Sequence, residues 1–308
     1  MNILITDLVD NLFIDLLKKN NINYQYNTSI SSEEVLAQIH LFDGLVVRNR
    51  LKIDASFLNK AKNLKFIGRY GSGMESIDIK KAEELNIQCF NSAAGNANAV
   101  SEHVLGMLLY LFKNIHKSSL KLHDLKWERE LNRGFEIEGK TIGIIGFGNT
   151  GSAFAEKLMQ FKCEIIAYDK YKSGFGDHII QESDITTIYK KCDVISFHVP
   201  LNAETTYFLN SDFVHQMKNP FYVLNTSRGK VISNNALIDG LKSKKILGAG
   251  LDVIENENSS FSNITIDENL NYLLSCNNVI LTPHIAGLSK ESNKKLSTVL
   301  IDKILEIK

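Results

Sequence analysis

The run Thr141-Ile-Gly-Ile-Ile-Gly146-Phe-Gly148-Asn-Thr-Gly151 constrains this chain more than any other feature. It sets G-x-G-x-x-G directly after an apolar strand pattern and directly before a helical pattern that begins at Ser152. In that context Gly146 permits a tight turn, Gly148 lets backbone approach a pyrophosphate, and Gly151 allows helix to pack closely on strand. The helix start then presents unpaired N–H groups and a partial positive charge to phosphate oxygens. The following apolar run, Glu164-Ile-Ile-Ala-Tyr-Asp169, ends in a carboxylate 18 residues past Gly151. That is near the ~20 residues expected for a group that hydrogen-bonds ribose hydroxyls. The cofactor implied is NAD, because the same carboxylate repels the 2′-phosphate of NADP.

The rest of the chain fits this turn into an α/β frame. Strand patterns near residues 2–6, 22–26, 44–47, 65–68 and 87–90 alternate with helical ones, which predicts a parallel sheet covered on both faces. A single long helix is predicted over roughly Ala97–Lys126, with Val100, Val104, Met107, Leu108 and Leu111 in a 3.6-residue rhythm. A second strand series follows near 141–146, 164–168, 193–197, 221–225, 247–251 and 278–281. The closing segment Ser289–Lys308 places Leu296, Val299, Leu300, Ile304 and Ile307 on one amphipathic face. With 308 residues the chain exceeds the usual size of a single core, so two domains are expected. The boundaries read as 1–95 with 287–308 for one, and 96–286 for the other.

Composition narrows the partners. Thirty-five basic residues balance thirty-five acidic ones, which removes the electrostatic case for a nucleic-acid or anionic-membrane surface. The four cysteines, Cys89, Cys163, Cys192 and Cys276, form no C-x-x-C pair, so neither a disulfide framework nor a metal site is expected, and a reducing, cytoplasmic setting fits. The longest apolar run, Val104–Phe112, is about half of the ~20 residues that span a bilayer. The N-terminus carries no leader pattern, and no further C-terminal domain, hence no feedback through one, is expected.

Three ionisable residues stand at strand ends of the second series. Arg228 lies in Asn225-Thr-Ser-Arg-Gly229, Glu257 in Leu251-Asp-Val-Ile-Glu-Asn-Glu257, and His284 in Leu281-Thr-Pro-His-Ile-Ala-Gly287. Reduction of a 2-oxo acid needs a cation for the carboxylate and carbonyl, a proton donor for the oxygen, and a group that tunes the donor. These residues supply one of each, although Arg228 alone reads equally as a salt-bridge partner at the sheet edge. The pair Gly71-Ser72-Gly73 follows another strand pattern and is either a plain turn or a nest of N–H groups for a substrate carboxylate. Arg48 and Arg50 follow the strand Leu45-Val-Val and are either solvated or directed at a substrate phosphate, for which arginine has a matching fork.

Taken in order, the Gly71–Gly73 loop, Asn91 through Glu102, Gly139–Gly148, Phe197-His-Val-Pro-Leu201, Asn225–Gly229, Gly250-Leu-Asp-Val253 and Thr282-Pro-His-Ile285 resemble the D-isomer-specific 2-hydroxyacid dehydrogenase family, in particular its D-3-phosphoglycerate dehydrogenase-like members. The resemblance implies a Rossmann cofactor domain plus a flavodoxin-like substrate domain, with a cleft that closes over the ligands. It implies that Arg228 binds the substrate carboxylate and carbonyl, that His284 is the general acid/base, and that Glu257 is its partner. Asn149 and Thr150 are then expected at the pyrophosphate and Asp169 at the adenine ribose. Thr226, Ser227 and Asp252 are expected along the nicotinamide, and His198 and Pro200 at the adenine end. Gly287 joins the cofactor-binding positions, and the Gly71–Gly73 backbone completes the carboxylate site. A homodimer through the helix containing residues 100–112 is implied as well.

Two departures bear on these assignments. Glu255 stands close to Glu257, and Asn258 replaces the proline usual after the glutamate. The resemblance selects Glu257, which lies 29 residues after Arg228 and five after Asp252 as in the family's pattern, whereas Glu255 does not. Ala93 stands where many relatives carry proline, near the expected hinge. The substrate pair expected first is 3-phosphoglycerate and 3-phosphohydroxypyruvate, as in serine biosynthesis, with hydroxypyruvate or glyoxylate reduction as the enzymatic alternative. A cofactor-sensing scaffold of the corepressor kind is the non-catalytic alternative, and the joint presence of Arg228, Glu257 and His284 weighs against it.

Overall fold

Every strand among the described residues is parallel to its neighbours in the sheet, an arrangement in which both faces must be covered. The computed structural model describes residues 1–257 and 264–307 and divides them into two compact units, Met1–Ala97 with Gly287 onward, and Asn98–Ala286.

The first unit holds β1 (Asn2–Ile5), β2 (Asn23–Tyr26), β3 (Gly44–Val47), β4 (Phe66–Arg69) and β5 (Gln88–Asn91) in the order β2-β1-β3-β4-β5. This is the flavodoxin-like winding. Alternating side chains separate its two cores. Leu4, Leu45 and Val47 pack with Val35 of α2 (Ser32–Gln38), Phe57 and Leu58 of α3 (Ala55–Lys60) and Ala82 of α4 (Ile79–Glu84). Ile3, Ile5 and Val46 pack with Phe13 and Leu17 of α1 (Asn11–Lys19) and with Leu296, Leu300, Ile301 and Ile304 of α12 (Lys290–Leu305). The last helix therefore completes the core begun by the first strand.

Tyr70, fully buried after β4, fastens that return. Its hydroxyl accepts from the Asp10 amide at 3.2 Å, lies 2.7 Å from the Asn293 carbonyl and 2.8 Å from Ser297 Oγ, and its ring meets Phe13 edge-on. Burial pushes the phenol up from its ordinary range.

The second unit contains β6 (Thr141–Ile145), β7 (Glu164–Tyr168), β8 (Ile180–Glu182), β9 (Val194–Phe197), β10 (Phe221–Asn225), β11 (Ile246–Leu251) and β12 (Val279–Leu281). Their order, β12-β11-β10-β9-β6-β7-β8, is the doubly wound dinucleotide-binding arrangement with one strand added at the β12 edge. One face carries Ile142, Ile144, Ile165 and Val194 against α5 (Ala97–Phe112) and α7 (Asn149–Leu158). The other carries Ile145, Ile166, Phe197 and Val223 against α8 (Ile185–Lys191), α9 (Ser211–Gln216), α10 (Asn234–Lys242) and α11 (Glu268–Ser275).

Two expectations need correction. The long helix predicted over 97–126 is two helices, α5 and α6 (Ile115–His123), because Asn114 takes a left-handed conformation (φ 51°) and its side chain turns to the Arg133 carbonyl. Asparagine tolerates that conformation better than most residues, so the break lies in one residue that periodicity does not register. The edge strand β8 was not anticipated, since three residues with a single buried side chain carry no alternation to read.

Replacing Tyr70 with phenylalanine leaves the half-buried Asp10 amide without this acceptor and removes the links to α12. Tyr70→Phe is expected to lower stability by about 1–3 kcal/mol, read as a lower urea midpoint at unchanged slope. An unaltered midpoint would show that the hydroxyl contributes nothing.

Candidate active site

In a parallel sheet the carboxyl ends of all strands lie along one edge, and the loops leaving that edge are where ligands bind. Strands β10, β11 and β12 are adjacent, so Arg228, Glu257 and His284, which follow them in turn, emerge side by side. Asn225 builds the first of these loops. Its amide donates to the Arg228 carbonyl at 3.0 Å, and its carbonyl oxygen accepts from the Ser227 amide and hydroxyl at 3.0 and 2.7 Å. Arg228 Nη1 donates to the Ser227 carbonyl at 2.7 Å. Gly229 is dictated by crowding, because a Cβ there would stand 1.8 Å from the Ile254 carbonyl oxygen; this contact locks the arginine loop against the loop that leads to Glu257.

Glu257 and His284 meet directly, Oε2 lying 3.0 Å from Nδ1. A carboxylate only accepts, so Nδ1 carries the proton of this bond. Both side chains are mostly enclosed, at 11% and 24% exposure, which limits screening of the pair. The Glu257 backbone is pinned by a bridge to Ile264 and by a pair of bonds between Asn256 and Thr265. Glu255 is employed elsewhere, accepting from Tyr207 Oη at 2.6 Å and from the Asn234 amide at 3.0 Å, so it fixes the start of α10. Asn258, the residue in place of the usual proline, lies outside the described residues.

Behind His284 sits Asp252, whose carboxylate is fully buried. It accepts from Thr282 Oγ1 at 2.6 Å and from the Ile285 and Ala286 amides, each at 2.8 Å. Its position deep beneath the loop makes it a framework group for that turn.

Further along the same edge, after β6, Gly146 takes φ 94°, and a Cβ there would strike the His198 carbonyl oxygen at 2.6 Å. Gly148, by contrast, would meet no heavy atom within 4 Å, so its absent side chain leaves open space above the start of α7. Gly151 packs against the Gly146 carbonyl, while Asn149 is exposed and Thr150 half-buried at that helix start. Asp169 lies across the loop, with Oδ2 accepting from the Phe147 amide at 2.8 Å and Oδ1 from the Tyr171 and Lys172 amides. Thr226 Oγ1 is buried and has no hydrogen-bond partner among the described residues. An open glycine cradle, a helix start, an anchored carboxylate and an orphaned hydroxyl together fit a dinucleotide.

His198 is buried under the glycine loop, its Nε2 2.8 Å from Ser196 Oγ and its Nδ1 3.2 Å from Thr150 Oγ1, whereas Pro200 is exposed. Its ring thus supports the loop from below.

In the first unit, the Gly71 amide is taken by Ser92 Oγ at 2.9 Å, and Ser72 Oγ donates to Asn96 at 3.0 Å. Gly73 is half-buried in the same loop, and Gly287 lies against the Asn96 amide. Arg50 donates to the Ile30 and Thr6 carbonyls at 2.5 and 2.8 Å, which makes it a strut of its own unit. Arg48 is less committed, its guanidinium lying 5.6 Å from the Tyr70 ring centre. Sequence reading passed over Arg69, whose guanidinium is buried beside Gly71 and contacts the Tyr70 carbonyl and Asn49. The signal was available, since Arg69 ends an apolar strand just as Arg228 follows one.

The sheet order and the glycine turn define a dinucleotide-binding enzyme frame, and comparison with known proteins is specific. The NAD binding domain of D-isomer specific 2-hydroxyacid dehydrogenases matches residues 105–286. A hydroxypyruvate reductase of Thermotoga maritima is 36% identical over 277 residues, covering 90% of this chain and 88% of that protein. A D-3-phosphoglycerate dehydrogenase of Archaeoglobus fulgidus is 31% identical over 309 residues, covering 100% of this chain and 57% of that protein, so the chain spans little more than half of that relative. The solved structure of D-2-hydroxyisocaproate dehydrogenase superposes with a TM-score of 0.85 at 26% identity, covering 99% of this chain and 96% of that one. The chain belongs to the D-isomer-specific 2-hydroxyacid dehydrogenase family, and with it to the NAD-dependent oxidoreductases.

Burial pushes the His198 imidazole down to about 3, so the folded chain keeps it neutral where the unfolded chain binds a proton below about pH 6.5. Stability from this group is present above that pH and is lost as pH falls toward 3. His198→Gln is expected to flatten the decline in urea midpoint between about pH 6.5 and about pH 4. An acid slope equal to that of the parent protein would contradict the assignment.

Proposed function

We propose that the chain interconverts a small 2-oxo acid and its D-2-hydroxy acid, with His284 as general acid/base, Glu257 as its partner and Arg228 as the cation for the substrate carboxylate and carbonyl. The observation that carries this reading is the 3.0 Å contact between Glu257 and His284 on the strand end beside the Arg228 loop. Bound NAD supplies or accepts the hydride at C2. In the reducing direction Arg228 polarises the carbonyl, His284 Nε2 delivers a proton to its oxygen, and Glu257 stabilises the charge on the imidazole before that proton leaves. Asn149, Thr150 and the amides around Gly146, Gly148 and Gly151 hold the pyrophosphate. Asp169 takes the adenine ribose, Pro200 borders the adenine end on the loop that the buried His198 supports, and Thr226, Ser227 and Gly287 line the nicotinamide side, with the buried Asp252 holding the turn beneath it.

Within this class, 3-phosphohydroxypyruvate is our first substrate, with its phosphate taken by Arg48 and its carboxylate assisted by Ser72, Gly71 and Gly73. Arg50 is the weaker phosphate ligand, because its guanidinium already serves two backbone carbonyls. Hydroxypyruvate is the second reading, favoured by the higher identity and fuller coverage of the Thermotoga maritima reductase. We place the enzyme in the cytoplasm as a homodimer. The apolar side chains of α5 at Val104, Met107, Leu108, Leu111 and Phe112 are buried within their own unit. A second copy would therefore meet the remaining face of α5, continued by α6 and the chain after it, where Leu122, Leu125, Trp127 and Leu131 are exposed.

NADH oxidation with a panel of 2-oxo acids tests the reading, and 3-phosphohydroxypyruvate is expected to show the highest kcat/KM. A hydroxypyruvate value equal or higher would remove the phosphate assignment while keeping the chemistry. His284→Ala is expected to lower kcat by about 10²- to 10⁴-fold, and near-normal turnover would remove the proton-transfer role.

A further inference from the structure

His103 is an imidazole on α5 directly before the apolar run Val104–Phe112, and the proposed chemistry does not use it. Its Nε2 reaches the end of β12, 3.0 Å from Thr282 Oγ1 and 3.6 Å from Asp252 Oδ1, with 22% of the side chain exposed. The chemistry of the partners fixes where the protons lie. The Asp252 carboxylate only accepts, and Thr282 has a single hydroxyl proton, which goes to Asp252 across 2.6 Å. The Thr282 oxygen must then accept from His103, so the proton of the neutral ring sits on Nε2 and Nδ1 is bare.

The far end of this chain is the turn that carries His284. Asp252 Oδ1 and Oδ2 accept from the Ile285 and Ala286 amides, and the Asp252 carbonyl accepts from the His284 amide at 2.8 Å. Between these bonds His284 sits at φ 56°, a left-handed conformation that a residue with a side chain keeps only when its surroundings over-determine it. The orientation of Asp252 thus sets the direction in which the His284 ring leaves the backbone.

We propose that His103 is a positioning residue for proton transfer at His284, acting through Thr282 and Asp252. It holds the Thr282 hydroxyl in the one rotation that feeds Asp252, and Asp252 in turn holds the strained turn that aims the imidazole. This rests on the assignment of His284 as acid/base.

Two measurements test it, one of which needs no turnover. Long-range proton–nitrogen spectra of the full chain, at a pH where the ring is neutral, are expected to show His103 protonated on Nε2. The opposite tautomer overturns the chain of bonds whatever the substrate proves to be. In kinetics with the best 2-oxo acid, His103→Phe and Thr282→Val are each expected to lower kcat by about tenfold, the scale of one lost hydrogen bond, with the NADH dissociation constant unchanged. His103→Gln, which keeps an N–H donor, is expected to restore most of the loss, and the double variant to be no worse than the weaker single one. A kcat within twofold of the parent in His103→Phe, no rescue by glutamine, or losses that multiply would each overturn the proposal. If the parent protein reduces no 2-oxo acid, the assignment of His284 fails, and the spectra still decide the proton arrangement at His103.

Discussion

A carboxylate out of contact with water is costly unless donors surround it, and Asp252 is a case in which they do. Its partners, Thr282 Oγ1 and the Ile285 and Ala286 amides, all belong to the segment that leaves β12. The penalty for losing any of them falls on a buried charge, so the segment has little freedom to take another path. That constraint places His284 within reach of Glu257, whose own loop leaves β11 only five residues after Asp252. Arg228 joins through Gly229, pressed against the Ile254 carbonyl. The buried carboxylate thus ties the exit of β12 to that of β11, and the close approach of Gly229 to Ile254 adds the exit of β10.

The parallel sheet makes this convergence possible. Because β9, β10, β11 and β12 run the same way, their exits share an edge, and residues far apart in sequence become neighbours without a long-range design for each. The same edge, beyond β6 and β7, carries the glycine turn and Asp169, which are joined by the bond from the Phe147 amide. The glycine turn and the Glu257–His284 pair are therefore set by one architectural choice.

Much of this was legible beforehand because the signals are local. The glycine spacing and Asp169 depend on one strand-turn-helix, and the apolar runs mark β6, β7, β9 and β10 to within a residue or so. Glu257 was separable from Glu255 by spacing, and the structure supplies the physical reason: Glu255 is tied to Tyr207 and Asn234. What escaped reading depends on single residues or on tertiary contact. The break at Asn114 is one backbone angle, and β8 is too short to show a period. The contact between His103 and Thr282 exists only once α5 lies beside the end of β12, and Arg50 is committed to carbonyls that no pattern reveals.

The central claim is that a hydride moves between NAD and C2 of a 2-oxo acid while a proton passes through His284. With deuterium at both C4 positions of the reduced nicotinamide, one label follows that hydride, and the product is read by mass spectrometry with chiral separation. The outcome in keeping with the account is one deuterium at C2 of a hydroxy acid of D configuration. Product without the label, or of L configuration, would contradict it.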